Sequence, residues 1–143
     1  MKILVDADAC PVKDLIISEG RRYNIPVEMV ASINHLISGG PGVTVITTDA
    51  GPDAVDYILA NRVECGDIVV TQDFGLAALV LGKKGRPLSP RGLIFTEDNI
   101  NGLLMQRYLS AKVRRGGGKT KGPPAFTQED RDSFLVSLRK LIE

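Results

Sequence analysis

The chain has 143 residues, a formal net charge of +1, 43% hydrophobic and 24% charged residues, proportions that suit one globular domain with one core. No run approaches the roughly 20 apolar residues that span a bilayer, and the start reads straight into a strand rather than a signal peptide, which points to a cytoplasmic protein with no membrane partner. The two cysteines, Cys10 and Cys65, lack metal-ligand spacing and are expected as reduced thiols, while the one histidine, His35, excludes a multi-histidine zinc site and makes a Ser-His-Asp triad a poor fit.

In chain order, Lys2 to Val5 reads as a first strand, followed at once by Asp6 and Asp8. Pro11 suits the first turn of a helix that runs to about Tyr23, where Asn24 and Pro26 end it. Val27 to Ala31 is a second strand, and Ile33 to Gly42 an irregular, exposed segment broken by Gly-Gly-Pro-Gly. Val43 to Thr47 is a third strand, and Gly51-Pro52 opens a helix to about Arg62. Asp67 to Thr71 is a fourth strand, with a helix from about Gly75 to Leu81. Gly92 to Phe95 reads as a short fifth strand. Thr96 caps a helix from Glu97 to about Ala111, with Asn99 only approximating a capping box. A basic, Gly-rich loop covers 112–124, and a C-terminal helix starts near Thr127 with Phe134, Leu135, Leu138, Leu141 and Ile142 as its apolar stripe. Short, uniformly apolar strands alternating with helices predict an α/β fold: three layers, a mainly parallel central sheet and helices on both faces, in a single domain spanning 1–143.

The acids carry the functional signal. Asp6 and Asp8 leave the first strand, Asp49 the third, and Asp73 the fourth; in a parallel sheet these ends share one rim, where open α/β sheets bind ligands. Asp53 and Asp56, three apart, share a face of the intervening helix. Close carboxylates resist desolvation unless a cation or a proton sits between them, and Mg²⁺ favours carboxylate oxygens plus water. Each acid also has a plain structural reading. Asp53 can serve the helix dipole, Asp49 and Asp73 can cap helices, and Asp6 and Asp8 can solvate a strand end. Asp67, at the opposite end of its strand, reads as a turn residue.

Other features point less sharply. Cys10 before a helix could have a lowered thiol pKa, but no base accompanies it, and a buried thiol fits better. Lys13 is near the acids if its helix begins at the rim, with a surface lysine as its equal alternative; Asn34 and His35 follow the second strand and could reach the rim, although a surface loop histidine fits better, and Ser32, Thr47, Thr48 and Thr71 could hydrogen-bond there. The 112–124 segment holds five basic residues and no acid, which suits capture of a nucleic-acid backbone through Arg114, Arg115, Lys119 and Lys121. It lacks P-loop spacing and an aromatic residue for stacking, so a solvated linker is its structural alternative. Arg21, Arg22 and Arg107 extend the positive surface or simply solvate it.

Asp67-Ile-Val-Val-Thr-Gln-Asp-Phe-Gly-Leu-Ala-Ala-Leu79 resembles the last acidic motif of PIN-like nucleases, Asp53-Ala-Val-Asp-Tyr-Ile-Leu59 is similar to the helix carrying their middle acids, and Val5-Asp6 matches their first-strand aspartate. The opening Asp6-Ala-Asp-Ala-Cys-Pro-Val-Lys13, with Thr48-Asp-Ala-Gly-Pro-Asp53 and Lys112 to Pro124, resembles the YaiI/YqxD group of uncharacterised bacterial proteins over nearly the whole chain. The resemblance implies a PIN-like fold and a Mg²⁺ or Mn²⁺ site. Asp6 and Asp73 would be metal ligands, with Asp8, Asp53 and Asp56 as partners or water orienters. Where PIN sites often carry a Glu, this chain offers the shorter Asp53 or Asp56.

The resulting expectation is a metal-dependent nuclease that hydrolyses phosphodiester bonds with metal-activated water, on RNA sooner than DNA; a homodimer is compatible with the resemblance. Two rivals stand beside it. Leu4-Val-Asp-Ala-Asp8 resembles the nucleophile motif of haloacid-dehalogenase-like phosphatases, with Asp6 attacking phosphorus and Asp8 as acid/base, although Cys10 and a lone Asp73 depart from that pattern. The other is a non-catalytic RNA- and metal-binding module.

Overall fold

The computed structural model describes residues 1–8, 10–32, 39–118 and 124–143. In chain order it contains β1 (Ile3–Asp6), α1 (Lys13–Arg22), β2 (Val27–Ser32), β3 (Val43–Thr48), α2 (Pro52–Arg62), β4 (Ile68–Val70), α3 (Phe74–Gly82), β5 (Arg86–Leu88), α4 (Glu97–Arg115) and α5 (Gln128–Ile142). The five strands form one wholly parallel sheet of order β3-β2-β1-β4-β5.

Alternation along the strands assigns the layers. Ile3 and Val5 join Val27, Met29, Ile68 and Val70 on one face, covered by Val12 and Ile16 beside α1 and by Phe134 and Leu138 of α5. Leu4, Val30 and Val69 point the other way, against Val55 and Leu59 of α2 and Leu76 and Val80 of α3. This is the expected α/β sheet with helices on both faces. Helix α4 forms an outer flank, packing Ile100, Leu103 and Leu104 on α3 around Phe95. The Phe74 and Phe95 rings meet edge to face, 5.6 Å apart. Several links fasten α5, among them an ion pair at Glu19 and a close backbone approach at Gly92. Buried Glu19 of α1 is gripped by Arg139 through bonds of 2.9 and 3.1 Å. The 89–95 loop also lies against the α5 backbone at Gly92, where a Cβ would come within 2.7 Å of Ser133 and φ is +94°, so only glycine fits.

The chain starts β1 near the middle of the sheet and winds outward through α1 and β2 to β3. It then crosses back over α2 to β4 and continues outward to β5. The winding direction reverses between β1 and β4, and that topological switch point opens a crevice at the carboxyl ends of the two strands.

Several boundaries differ from those the sequence suggested. The fifth strand is Arg86–Leu88, not Gly92 to Phe95, of which only Ile94 bridges back, antiparallel, to Leu88. Pro87 is tolerated because β5 is an edge strand, and its carbonyl accepts the Phe95 N–H at 3.0 Å. Helix α1 starts at Lys13, with Pro11 in the preceding turn. Helix α4 runs on through Lys112, Arg114 and Arg115, which therefore belong to its last turn rather than to a loop; cations there stabilise the helix dipole. Thr96 and Asn99 form a full reciprocal capping box (2.9 and 3.2 Å), the asparagine side chain doing what a Glu usually does. Thr127 and Asp130 cap α5 in the same way. The expected irregular segment is exposed at Gly39 to Gly42, and its residues 33–38 lie outside the described residues.

Candidate active site

Each acid's position follows from the strand or helix that carries it. Asp6 is the last residue of β1, and Asp73 follows β4 by three positions, so both stand at the switch point. Thr71 connects them. Its buried hydroxyl accepts the Asp73 N–H at 3.0 Å and donates to Asp6 Oδ2 at 3.1 Å. Because the hydroxyl has one proton, accepting from Asp73 leaves that proton for Asp6 and fixes the direction of the chain. Asp73 also caps α3, its Oδ1 accepting the Leu76 N–H at 3.1 Å. The capping role seen in the sequence is thus present alongside the rim position.

The crossover helix α2 brings Asp56 over the same crevice. Its carboxyl is pushed up to about 6, first by burial, then by the charges of Asp73 and Asp6, by a hydrogen bond with Asp73, and by Asp53. Asp6 is also raised, by burial above all, with Asp8 and Asp73 adding repulsion and the Thr71 bond opposing it. Asp6, Asp56 and Asp73 therefore form the centre of one electrostatic cluster, with Asp8 and exposed Asp53 on its flanks. Asp8 turns toward β2, where its Oδ1 accepts the Ser32 N–H at 2.7 Å. Asp49 leaves edge strand β3, two strands from β1. Among the described residues, no group of three or more His, Cys, Asp or Glu side chains forms a ready-made metal cage.

The cluster meets one cation that sequence reasoning set among surface charges. Arg107 Nη1 of α4 lies 3.4 Å from Asp73 Oδ1. Together with Asp6, Gln72, Asp73 and Phe74 it lines an open hollow of ≈ 300 Å³. A second hollow adjoins it between Asp56, Tyr57 and Leu79. Gly75 keeps this corner open, since a Cβ there would sit 3.1 Å from Asp73 Oδ1. A signal for Arg107 was present in the sequence: Ile100, Leu103, Leu104, Arg107 and Ala111 follow helical spacing, so the arginine continues the inward stripe of α4.

The remaining candidates are scattered. Lys13 opens α1, and its Nζ donates to the Ala7 carbonyl at 3.3 Å, which holds a positive charge over the β1–α1 turn. Arg114 and Arg115 stand two helical turns beyond Arg107, exposed at the end of α4. Lys119, Lys121, Asn34 and His35 lie outside the described residues. Cys10 is buried, and burial pushes its thiol up to about 11, so it is a packing residue rather than a nucleophile. Asp67, at the opposite end of β4, is a turn residue as expected, accepting the Glu64 N–H at 2.9 Å. It also takes Lys2 Nζ at 2.7 Å and the Lys2 N–H at 3.1 Å. Among the described residues no helix is long and apolar enough to cross a membrane.

No solved structure matches the chain. A UPF0178 protein of Bacillus cereus (strain G9842) is 47% identical over 144 residues, covering 99% of each chain. One of Bacillus mycoides (strain KBAB4) matches at 47% over the same span, and one of Bacillus thuringiensis subsp. konkukian at 46%. The family profile described as "Uncharacterized BCR, YaiI/YqxD family" matches residues 4–143. By both measures the chain belongs to the YaiI/YqxD family.

Proposed function

We propose that this protein is a metal-dependent phosphodiesterase of PIN-like type, cleaving nucleic acid in the cytoplasm and RNA in preference to DNA. The observation that carries the reading is the meeting of Asp6, Asp56 and Asp73 at the switch point of the sheet, with Asp6 and Asp56 held above the ordinary carboxylate range. Carboxyls strained in this way are stabilised by a proton or by a cation. The donor set fits Mg²⁺ or Mn²⁺ in kind, because every oxygen is hard. It also fits in number, because Mg²⁺ keeps several waters and takes as few as one or two carboxylates. The ligands would be Asp6 and Asp73, with Asp8 beside them. When bound, the ion polarises the phosphodiester and lowers the pKa of the attacking water.

The chain's own residues supply the rest. Thr71 holds Asp6 and the Asp73 backbone in register. Asp56, raised to about 6, has the affinity to accept a proton from water near neutral pH, and exposed Asp53 shares its helix face. Arg107 offsets negative charge on the rim and offers a donor to a phosphate oxygen. Lys13, Arg114 and Arg115, with Lys119 and Lys121, provide sequence-independent attraction for the nucleic-acid backbone.

The test is Mn²⁺-dependent cleavage of a labelled pool of RNA and single-stranded DNA, run beside Asp6→Asn and Asp73→Asn. Cleavage is expected in the wild type and lost in both variants and in EDTA. Arg107→Ala should weaken RNA binding and reduce its salt slope by about 1 while leaving Mn²⁺ binding in place. Mn²⁺ binding by folded protein without cleavage refutes the enzyme and leaves the non-catalytic module. A phosphoryl group trapped on Asp6 would instead establish the phosphatase.

A further inference from the structure

Helix α4 is apolar on two opposite faces. Its inner face, Ile100, Leu103 and Leu104, packs on α3. Its outer face carries Met105, Tyr108, Leu109 and Val113, exposed by 57, 55, 51 and 47%. At 3.6 residues per turn these four fall within an arc of about 140°, on the side of the helix away from α3. Four large apolar side chains on one exposed helix face form a surface that in soluble proteins marks an interaction site.

The charges on the same helix select the occupant. Glu97 and Asp98 lie in the first turn, and Lys112, Arg114 and Arg115 in the last. Asp98 and Lys112 fall within the arc of the apolar face, with Glu97 and Arg115 at its edge. The face therefore reads acidic, apolar, basic along its length, a pattern complementary to itself when reversed. A twofold axis at the level of Arg107 sets Met105 of one copy level with Leu109 of the other, and Asp98 within about one helical position of Arg115. A single register thus satisfies both the apolar and the charged contacts, twice over, as a self-complementary interface requires.

We propose that the protein is a homodimer built on antiparallel contact of two α4 helices through Met105, Tyr108, Leu109 and Val113. The proposal does not rest on the phosphodiesterase reading. Arg107 stands at the level of the axis but on the opposite, inner face of the helix, beside Asp73, so the contact does not involve it.

The experiment is sedimentation of the full chain beside Met105→Glu/Leu109→Glu, with circular dichroism to confirm folding. Both side chains are more than half exposed, so the double variant should keep the wild-type far-UV spectrum and a cooperative melt, with Tm lowered only by the lost association. Wild type is expected to sediment at twice the 15.4 kDa chain mass. The double variant should be monomeric, its dimer dissociation constant raised at least about a hundredfold by loss of apolar burial and by like-charge contact. Asp98→Lys should weaken the dimer, and adding Arg115→Glu should restore it by exchanging the two charges. A wild-type chain monomeric at about 100 μM overturns the proposal. So does a dimer that survives Met105→Glu/Leu109→Glu. A monomer that floats with anionic vesicles overturns it in favour of a membrane surface.

Discussion

Replacing Asp56 with asparagine should make the protein more stable at pH 8. The Asp56 carboxyl has an ordinary pKa of 3.8 and is raised to about 6 in the folded chain, by burial first and then by Asp73 and Asp6. A raised carboxyl favours the folded state only while protonated. Its contribution is fully present below about pH 3.8 and is lost as pH rises through about 6. At 1.36 kcal/mol per pH unit the shift sets a ceiling of about 3 kcal/mol. Asp56 is partly buried rather than sealed from water, and solvent screening reduces the expected effect to about 1 kcal/mol. Urea denaturation at a series of pH values measures it. Wild type should lose about 1 kcal/mol between pH 4 and pH 7 through this group, with Asp6 adding a slope of the same sign. Asp56→Asn should flatten the profile over that window and gain about 1 kcal/mol at pH 8, which for a domain of this size moves Tm by about 3 °C. A variant that is less stable than wild type at pH 8, or that keeps the full slope, would refute the argument that Asp56 is held against its charge.

Three further outcomes test the same arrangement. Thr71→Val should cost about 2 kcal/mol, because it leaves the Asp73 N–H without its 3.0 Å acceptor in a buried site; Thr71→Ser should recover most of it, and equal stability of all three would remove Thr71 as the connector. Mn²⁺ at 100 times its dissociation constant should stabilise wild type by about 2.7 kcal/mol in a thermal melt, and Asp73→Asn should abolish the shift; an equal shift in that variant would move the ion elsewhere. Asp67→Ala should destabilise by about 3 kcal/mol by stripping Lys2 and the Glu64 N–H of their acceptor, yet leave the Mn²⁺ shift unchanged, since Asp67 is at the far end of the sheet.

The middle of the sheet was legible because β1 and β4 are buried on both faces and so read as uninterrupted apolar runs: Ile3-Leu-Val and Ile68-Val-Val needed only local pattern. Strand β5 escaped because Arg86-Pro-Leu owes its place to hydrogen bonds with β4 and with Phe95, partners distant in sequence, while Leu93-Ile-Phe looked locally more strand-like. The end of α4 escaped because Lys112, Arg114 and Arg115 resemble a charged linker in composition, whereas on a helix the same cations suit its negative end. Within the candidate site, the rim positions of Asp6 and Asp73 followed from chain direction alone. The placement of Asp56 needed the crossover path of α2, which periodicity does not give. Arg107 needed the packing of α4 on α3, and only its register with Leu103 and Leu104 hinted at it.

The same residue type behaves in opposite ways at the two ends of the sheet. Asp67 is pushed up by burial, but Lys2 and the Glu64 and Lys2 N–H groups pull its carboxyl below the ordinary range. Asp14 is drawn down by Arg131, 2.7 Å away. Glu19, buried in the packing of α1 on α5, has its arginine. Each of these three acids, away from the switch point, has a cation beside it. At the switch point the chain surrounds Asp6 and Asp56 with other acids, and both carboxyls rise. A fold able to pair its acids elsewhere has no structural need for that repulsion, and a stability gain in Asp56→Asn would measure what it costs. Unfavourable charge concentrated in a crevice, where the architecture opens it to ligand, is the pattern that separates a binding site from a solvated surface.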